Sequence, residues 1–268
     1  MDVGHPLDLI VLATRPRSLR CQVLGTGDAV TLRTAVRNEV PGEIITVLPA
    51  KQWTLGLHQH LSGKVESSRL DIPALRLQPL ELEDWEEWDP VEAFEEGPTP
   101  DWALPILARG PRHVFEMEQV IPGEDPDDPW SDPIIEAADL REAGATAEAR
   151  ELLMSLTAAD LRCIDAHAHL GNFEFPHHSR LALRHYAVGI GIGAAALGDD
   201  FDGFLPWSLM DNRPYLRCLH GYALSLWQLG ELDTAAAVFE RMLWLNPMDN
   251  QGARFNLADV RSERNWSE

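Results

Sequence analysis

The chain has 268 residues, 45% of them hydrophobic, which suffices for one large or two small domains with real cores; no run approaches 18 uncharged apolar residues, which argues against a membrane-spanning helix. Cys21, Cys163 and Cys218 stand far apart, which excludes a C-x-x-C redox or zinc spacing and a paired disulfide framework. The net charge of −21 is uneven: residues 1–80 carry +2, residues 81–132 carry −15 and residues 133–268 carry −8, so the chain as a whole repels nucleic acid but its first 80 residues do not.

The start, MDVGHPLDLIVLATRPR, sets acidic residues ahead of a short apolar stretch, the wrong polarity for a secretory signal, and a cytoplasmic location is expected. Residues 1–80 then read as short strands. Asp28 to Val36 alternates apolar and polar residues, Glu43 to Leu48 follows a Pro41-Gly42 turn, and Lys64 to Leu70 follows Ser62-Gly63. Strands joined by tight turns, without a long helix, predict a small β-barrel or a strongly bent sheet. Arg15, Arg17, Arg20, Arg33 and Arg37, with Lys51 and Lys64 near them, form a candidate basic face. Beside Trp53 and His58 it would suit nucleic acid. His58 and His60 would share one strand face, but no third metal ligand accompanies them.

Residues 81–132 are dense in Asp, Glu, Pro and Trp. Proline opposes regular structure and charge opposes collapse, yet Trp85, Trp88, Trp102 and Trp130 are large apolar anchors. The expectation is an extended acidic strap lying on the rest of the protein, with a short helix at 91–96.

Residues 133–268 read as helical and carry an internal repeat. Gly144, Ala149, Leu153 and Leu161 recur as Gly230, Ala235, Phe239 and Pro247 at identical spacings. The second copy extends upstream through Leu219, Tyr222, Ala223 and Leu226, and LRCLHGYALSLWQLGELDTAAAVFERMLWLNP resembles a tetratricopeptide (TPR) unit. The resemblance covers a little under half of the chain. It implies stacked antiparallel helical hairpins whose concave face, lined by the first helix of each repeat, receives a peptide. Carried onto this sequence, the peptide-facing positions include Arg217, His220 and Trp227, with Asn172 from the preceding repeat and Arg254 from the following helix. Arginines there would favour an acidic or C-terminal carboxylate ligand.

Three further motifs compete with this reading. The stretch CIDAHAHLG holds a D-x-H-x-H at Asp165, His167 and His169 and resembles the amidohydrolase metal motif. That motif belongs to a (β/α)₈ barrel of about 250 residues, and the residues after His169 read as helical. On a helix the two rings diverge by roughly 200°. The G-x-G-x-G of Val188 to Gly198 follows a helical pattern instead of a strand, which points to small residues for close helix packing. In DDFDGFLPWSLMDNRP, Phe201, Phe204, Leu205, Trp207 and Met210 are expected to tuck against the helices, with Asp211 or Asn212 capping the next helix and Pro214 in its first turn.

The fold expected is therefore α+β and multidomain: a β-barrel-like domain at 1–80, an acidic Trp/Pro-rich strap at 81–132 and a TPR-like α-hairpin array at 133–268. The function expected is a non-enzymatic adaptor that binds a protein or peptide partner through the helical groove. The alternative is a nucleic-acid- or ribosome-associated factor using the barrel arginines, and a second alternative is a metal-dependent enzyme built from clustered histidines. No catalytic residue, metal set or cofactor is assigned.

Overall fold

The structure, a computed structural model, describes residues 4–34, 38–94, 98–125, 127–128 and 131–266. In chain order its elements are β1 (Leu7–Arg15), β2 (Ser18–Val23), β3 (Ala29–Arg33), β4 (Ile44–Leu55), β5 (His58–Arg69), α1 (Ile72–Leu75), β6 (Leu82–Trp88), α2 (Leu104–Arg109), β7 (Arg112–Met117), α3 (Pro133–Glu142), α4 (Thr146–Ala159), α5 (Ile164–Glu174), α6 (Ser179–Leu197), α7 (Arg213–Gln228), α8 (Leu232–Leu245) and α9 (Ala253–Arg261). They form two compact units: Met1–Gln78 with Val120–Leu170, and Pro79–Gln119 with Gly171–Glu268.

In the first unit β1 to β5 close into the predicted barrel, in the order β1-β2-β3-β5-β4. Only β3 and β5 run parallel; β1 closes the barrel against β4. The predicted strands are present, but β4 runs on to Leu55 and β5 begins at His58, because a tight turn at Gly56-Leu57 joins them. Residues 35–37, the end of one predicted strand, lie outside the described residues. Period-2 alternation sends Leu9, Val11, Leu19, Cys21, Val30, Leu32, Ile45, Val47 and Leu61 into the barrel. The same alternation turns Ile10 outward to meet Leu75 and Leu161, with Leu12 packed against that cluster. The Thr157 hydroxyl donates to the Leu12 carbonyl at 3.0 Å, and the Thr14 amide reaches Met154 Sδ at 3.4 Å. The continuous apolar run Leu9–Ala13 thus follows from a strand covered on both sides.

In the second unit the acidic segment is more regular than its proline content predicts. Two proline-free stretches, Leu82–Trp88 and Arg112–Met117, pair as an antiparallel hairpin with a bulge between Asp84 and Glu87. Five prolines, from Pro90 to Pro111, sit in the connection, where Pro90–Phe94 and Asp101–Ala103 form 3₁₀ turns. Trp130 lies outside the described residues. The hairpin is clamped by Asn212, which corrects its expected capping role: its side chain makes no cap bond but accepts from the Met117 amide at 2.9 Å and donates to the Phe115 carbonyl at 2.9 Å. Of the segment expected to tuck in, Phe204 and Leu205 are buried, whereas Met210 is exposed.

The repeat in the sequence has a local structural counterpart. Gly144 and Gly230 both adopt positive φ, 83° and 82°. The amides that follow make the same bonds, Ala145 to the Leu140 carbonyl and Glu231 to the Leu226 carbonyl. This is the left-handed helix end that glycine permits. The small residues of the other motifs serve close packing: Val188–Gly198 lies in and at the end of α6, and its Gly193 faces the Tyr215 ring. Gly171 and Gly221 both abut the ring of Tyr186, which is fully buried and donates its hydroxyl to Asn172 at 2.7 Å. A Cβ at Gly221 would overlap that ring. Gly221→Ala is therefore expected to destabilise this unit by about 1–3 kcal/mol through overpacking; an unchanged unfolding midpoint in urea would refute the constraint.

Candidate functional site

The barrel register assembles one charged and aromatic face. Leu32, Gln52 and Leu61 pair across β3, β5 and β4 with Leu32 and Leu61 inside, so the residues flanking them point outward. One outward row runs Arg20, Thr31, His60, Trp53; the next runs Arg33, Ser62, Lys51, with Arg15 opposite Ser18 at the β1–β2 turn. Neither row contains a carboxylate. Trp53 is the centre of this face. His60 stacks on it at 5.4 Å and 10°, while the Arg33 guanidinium and the Lys51 ammonium lie 5.7 and 5.8 Å from its ring centroid. Arg15, Arg17, Arg20, Arg33 and Lys51 are exposed, and no ion pair among the described residues engages them. Arg37 lies outside the described residues.

Of the two histidines on the strand, His60 is the one that meets Trp53; His58 is exposed at the hairpin turn. The register that pairs Trp53 with His60 is set by Gly56-Leu57, a two-residue turn with glycine first, at φ 61°.

The residues predicted to bind a peptide are each engaged within the chain. His220 bonds Asn256 at 3.1 Å and packs edge-on against Phe239. Trp227 is buried; its indole N–H donates to the Arg264 carbonyl at 2.7 Å, and Trp266 packs edge-on against it at 5.1 Å. Asn172 holds the Tyr186 hydroxyl, Arg254 pairs with Asp249 at 3.0 Å, and Arg217 lies 5.9 Å from the Trp207 ring. On α7 the chain's own tail covers the position that Trp227 would offer.

The D-x-H-x-H motif lies on α5. His167 is fully buried and its Nε2 meets the Leu161 carbonyl at 3.0 Å, while His169 faces Asp165 at 3.7 Å. Burial holds His167 down to about 4. No group of three His, Cys, Asp or Glu side chains among the described residues could hold a metal ion. The three thiols are buried; burial pushes Cys163 up to about 12 and Cys21 higher still, far from a reactive thiolate. No helix among the described residues is long and apolar enough to cross a membrane. No protein-family model, curated protein or solved structure matches this chain.

Proposed function

We propose that this is a non-enzymatic binding protein whose barrel face takes single-stranded nucleic acid. The observation that carries the reading is the pair of outward rows in which Arg33 and Lys51 flank Trp53 and Arg20 ends the row that Trp53 begins, without a carboxylate among them. Cations track a phosphate backbone, and an aromatic face stacks on a base whatever its identity. The strand order is that of five-stranded Greek-key barrels of the OB type, which use the β2–β3 face and the adjoining loops for oligonucleotides and oligosaccharides; the charge on this face favours the anionic ligand. The helical hairpins are the support in this reading, of the TPR kind that their matching turns suggest, and the residues expected to capture a peptide there stabilise the helices.

Fluorescence anisotropy of a labelled single-stranded oligonucleotide with the full chain tests it. Three phosphate contacts predict that log K falls with log salt at a slope of about −2. Trp53→Ala is expected to weaken binding roughly ten-fold or more, in keeping with about 1–3 kcal/mol per stacked base. No binding at low salt, or binding indifferent to Trp53, would end the proposal.

A further inference from the structure

A second surface lies within the other unit, on one face of the β6–β7 hairpin. Alternation along β6 places Glu81, Glu83 and Trp85 on that face. The bulge between Asp84 and Glu87 returns Glu86 and Trp88 to it, opposite Val114, Glu116 and Glu118 of β7 and its extension. Two cavities open there in succession. The first, of about 360 Å³, is mainly apolar, lined by Trp85, Trp88, Phe204, Pro247 and Met248 with Glu86 as its one charged residue. Trp85 is 48% and Met248 56% exposed, large apolar side chains left in solvent at the mouth of a formed pocket. The second, of about 350 Å³, is bordered by Glu81, Glu83, Glu116, Glu118 and Asp211 and by no basic residue. No ion pair among the described residues neutralises those five carboxylates. The segment that continues from Phe204 borders both, with Pro206, Ser208 and Leu209 at the apolar end and Asp211 at the acidic end.

We infer that this groove docks an extended segment of a partner protein that carries an apolar or proline anchor next to a run of lysines or arginines. Charge complementarity selects the occupant. An acidic or neutral segment would leave the carboxylates at the far end facing one another or a like charge, and a purely basic one would leave Trp85 and Met248 wet. The length fits as well: the seven residues of β6 span about 23 Å, which an extended segment of six or seven residues matches. An aromatic anchor pocket beside a charged rim is the arrangement in which a few residues carry most of the affinity. The surface is separate from the barrel face, so neither reading depends on the other.

The test uses the full-length protein and two labelled heptapeptides, acetyl-Leu-Pro-Val-Lys-Val-Lys-Lys-amide and its reversed order, because the chain direction in the groove is open. A control peptide replaces each lysine by glutamate. One of the two basic peptides should bind, and the glutamate peptide should not. Trp85→Ala should weaken that binding at least ten-fold, and so should the double variant Glu83→Gln, Glu116→Gln. Trp85 and Glu83 are exposed and Glu116 is half-buried, so circular dichroism should show the variants folded. Binding that falls with salt but ignores Trp85→Ala is diffuse attraction to an acidic protein and overturns the proposal. So does failure of both peptides, or sedimentation showing that a second copy of the chain already covers this face.

Discussion

Arg112→Ala is expected to destabilise the unit built on Pro79–Gln119 and Gly171–Glu268 by about 4 kcal/mol. The Arg112 side chain is 1% exposed, and its guanidinium lies between the rings of Phe204 and Trp244, 3.7 and 4.1 Å from their centroids. Nη2 donates to the Trp244 carbonyl at 3.0 Å and Nη1 to the Asp202 carbonyl at 3.4 Å. Burial pulls its pKa down to about 10, with Arg109 and Arg241 adding to the pull and Asp202 opposing it. It is thus the joint between hairpin, connecting segment and α8. Alanine removes two desolvated cation–π contacts, each worth up to about 2 kcal/mol, and leaves a void between two aromatic rings. Arg112→Met, which keeps the stem and most of the volume, is expected to cost about half as much, since apolar replacement of a buried ionic group is often tolerated. Urea unfolding followed by tryptophan fluorescence measures both. The two units need not melt together, so the transition must be resolved by unit. A loss below about 1 kcal/mol for the alanine variant would show that the hairpin is held by other contacts.

Acid should loosen the first unit through His167. Its folded pKa is depressed to about 4, chiefly by burial, with the Leu161 carbonyl opposing, and an unfolded histidine titrates near 6.5. Between those values the unfolded chain holds a proton that the folded chain refuses. Stability therefore rises with pH across this window. Above about pH 6.5 His167 contributes no pH dependence; from there to pH 4 the loss accumulates to about 3 kcal/mol. His220, also lowered by burial, acts in the same direction on the other unit. Denaturant unfolding at several pH values between 7 and 4 should show the wild type losing about 3 kcal/mol more than His167→Gln, whose amide can still meet the Leu161 carbonyl. Parallel loss in the two proteins would remove His167 as the source.

The barrel strands are legible because alternation and turn residues are local signals: Val30 and Leu32 stand in an alternating run, and Glu43 to Leu48 follows the Pro41-Gly42 turn. The binding face on its exterior was half legible. Its arginines are evident in the sequence, but whether Trp53 meets His58 or His60 depends on a register shift of two residues, which exchanges neighbours on the same face. The acidic segment misled by its composition. Prolines and carboxylates averaged over fifty residues conceal the proline-free Leu82–Trp88 and Arg112–Met117, and their pairing is held by Arg112 and Asn212, one of them about a hundred residues distant in sequence from the strand it clamps. The groove over that hairpin had no local signature for the same reason: its walls come from residues 81–88, 114–118, 204–211 and 246–248.

What the sequence determined alone are the features set by neighbours along the chain. These are the strand alternation of the barrel, the glycine helix ends at Gly144 and Gly230, and the helical setting that turns His167 and His169 apart. Backbone sterics and side-chain periodicity act over a few residues, so a few residues suffice to read them. Only the tertiary structure decided that Trp53 stands between Arg33 and Lys51, that Trp227 is buried under the chain's own tail, and that a cavity bordered by five carboxylates follows an apolar one along the hairpin. Those arrangements depend on register and long-range packing, where a shift of one or two positions changes which side chains meet while leaving every local pattern intact.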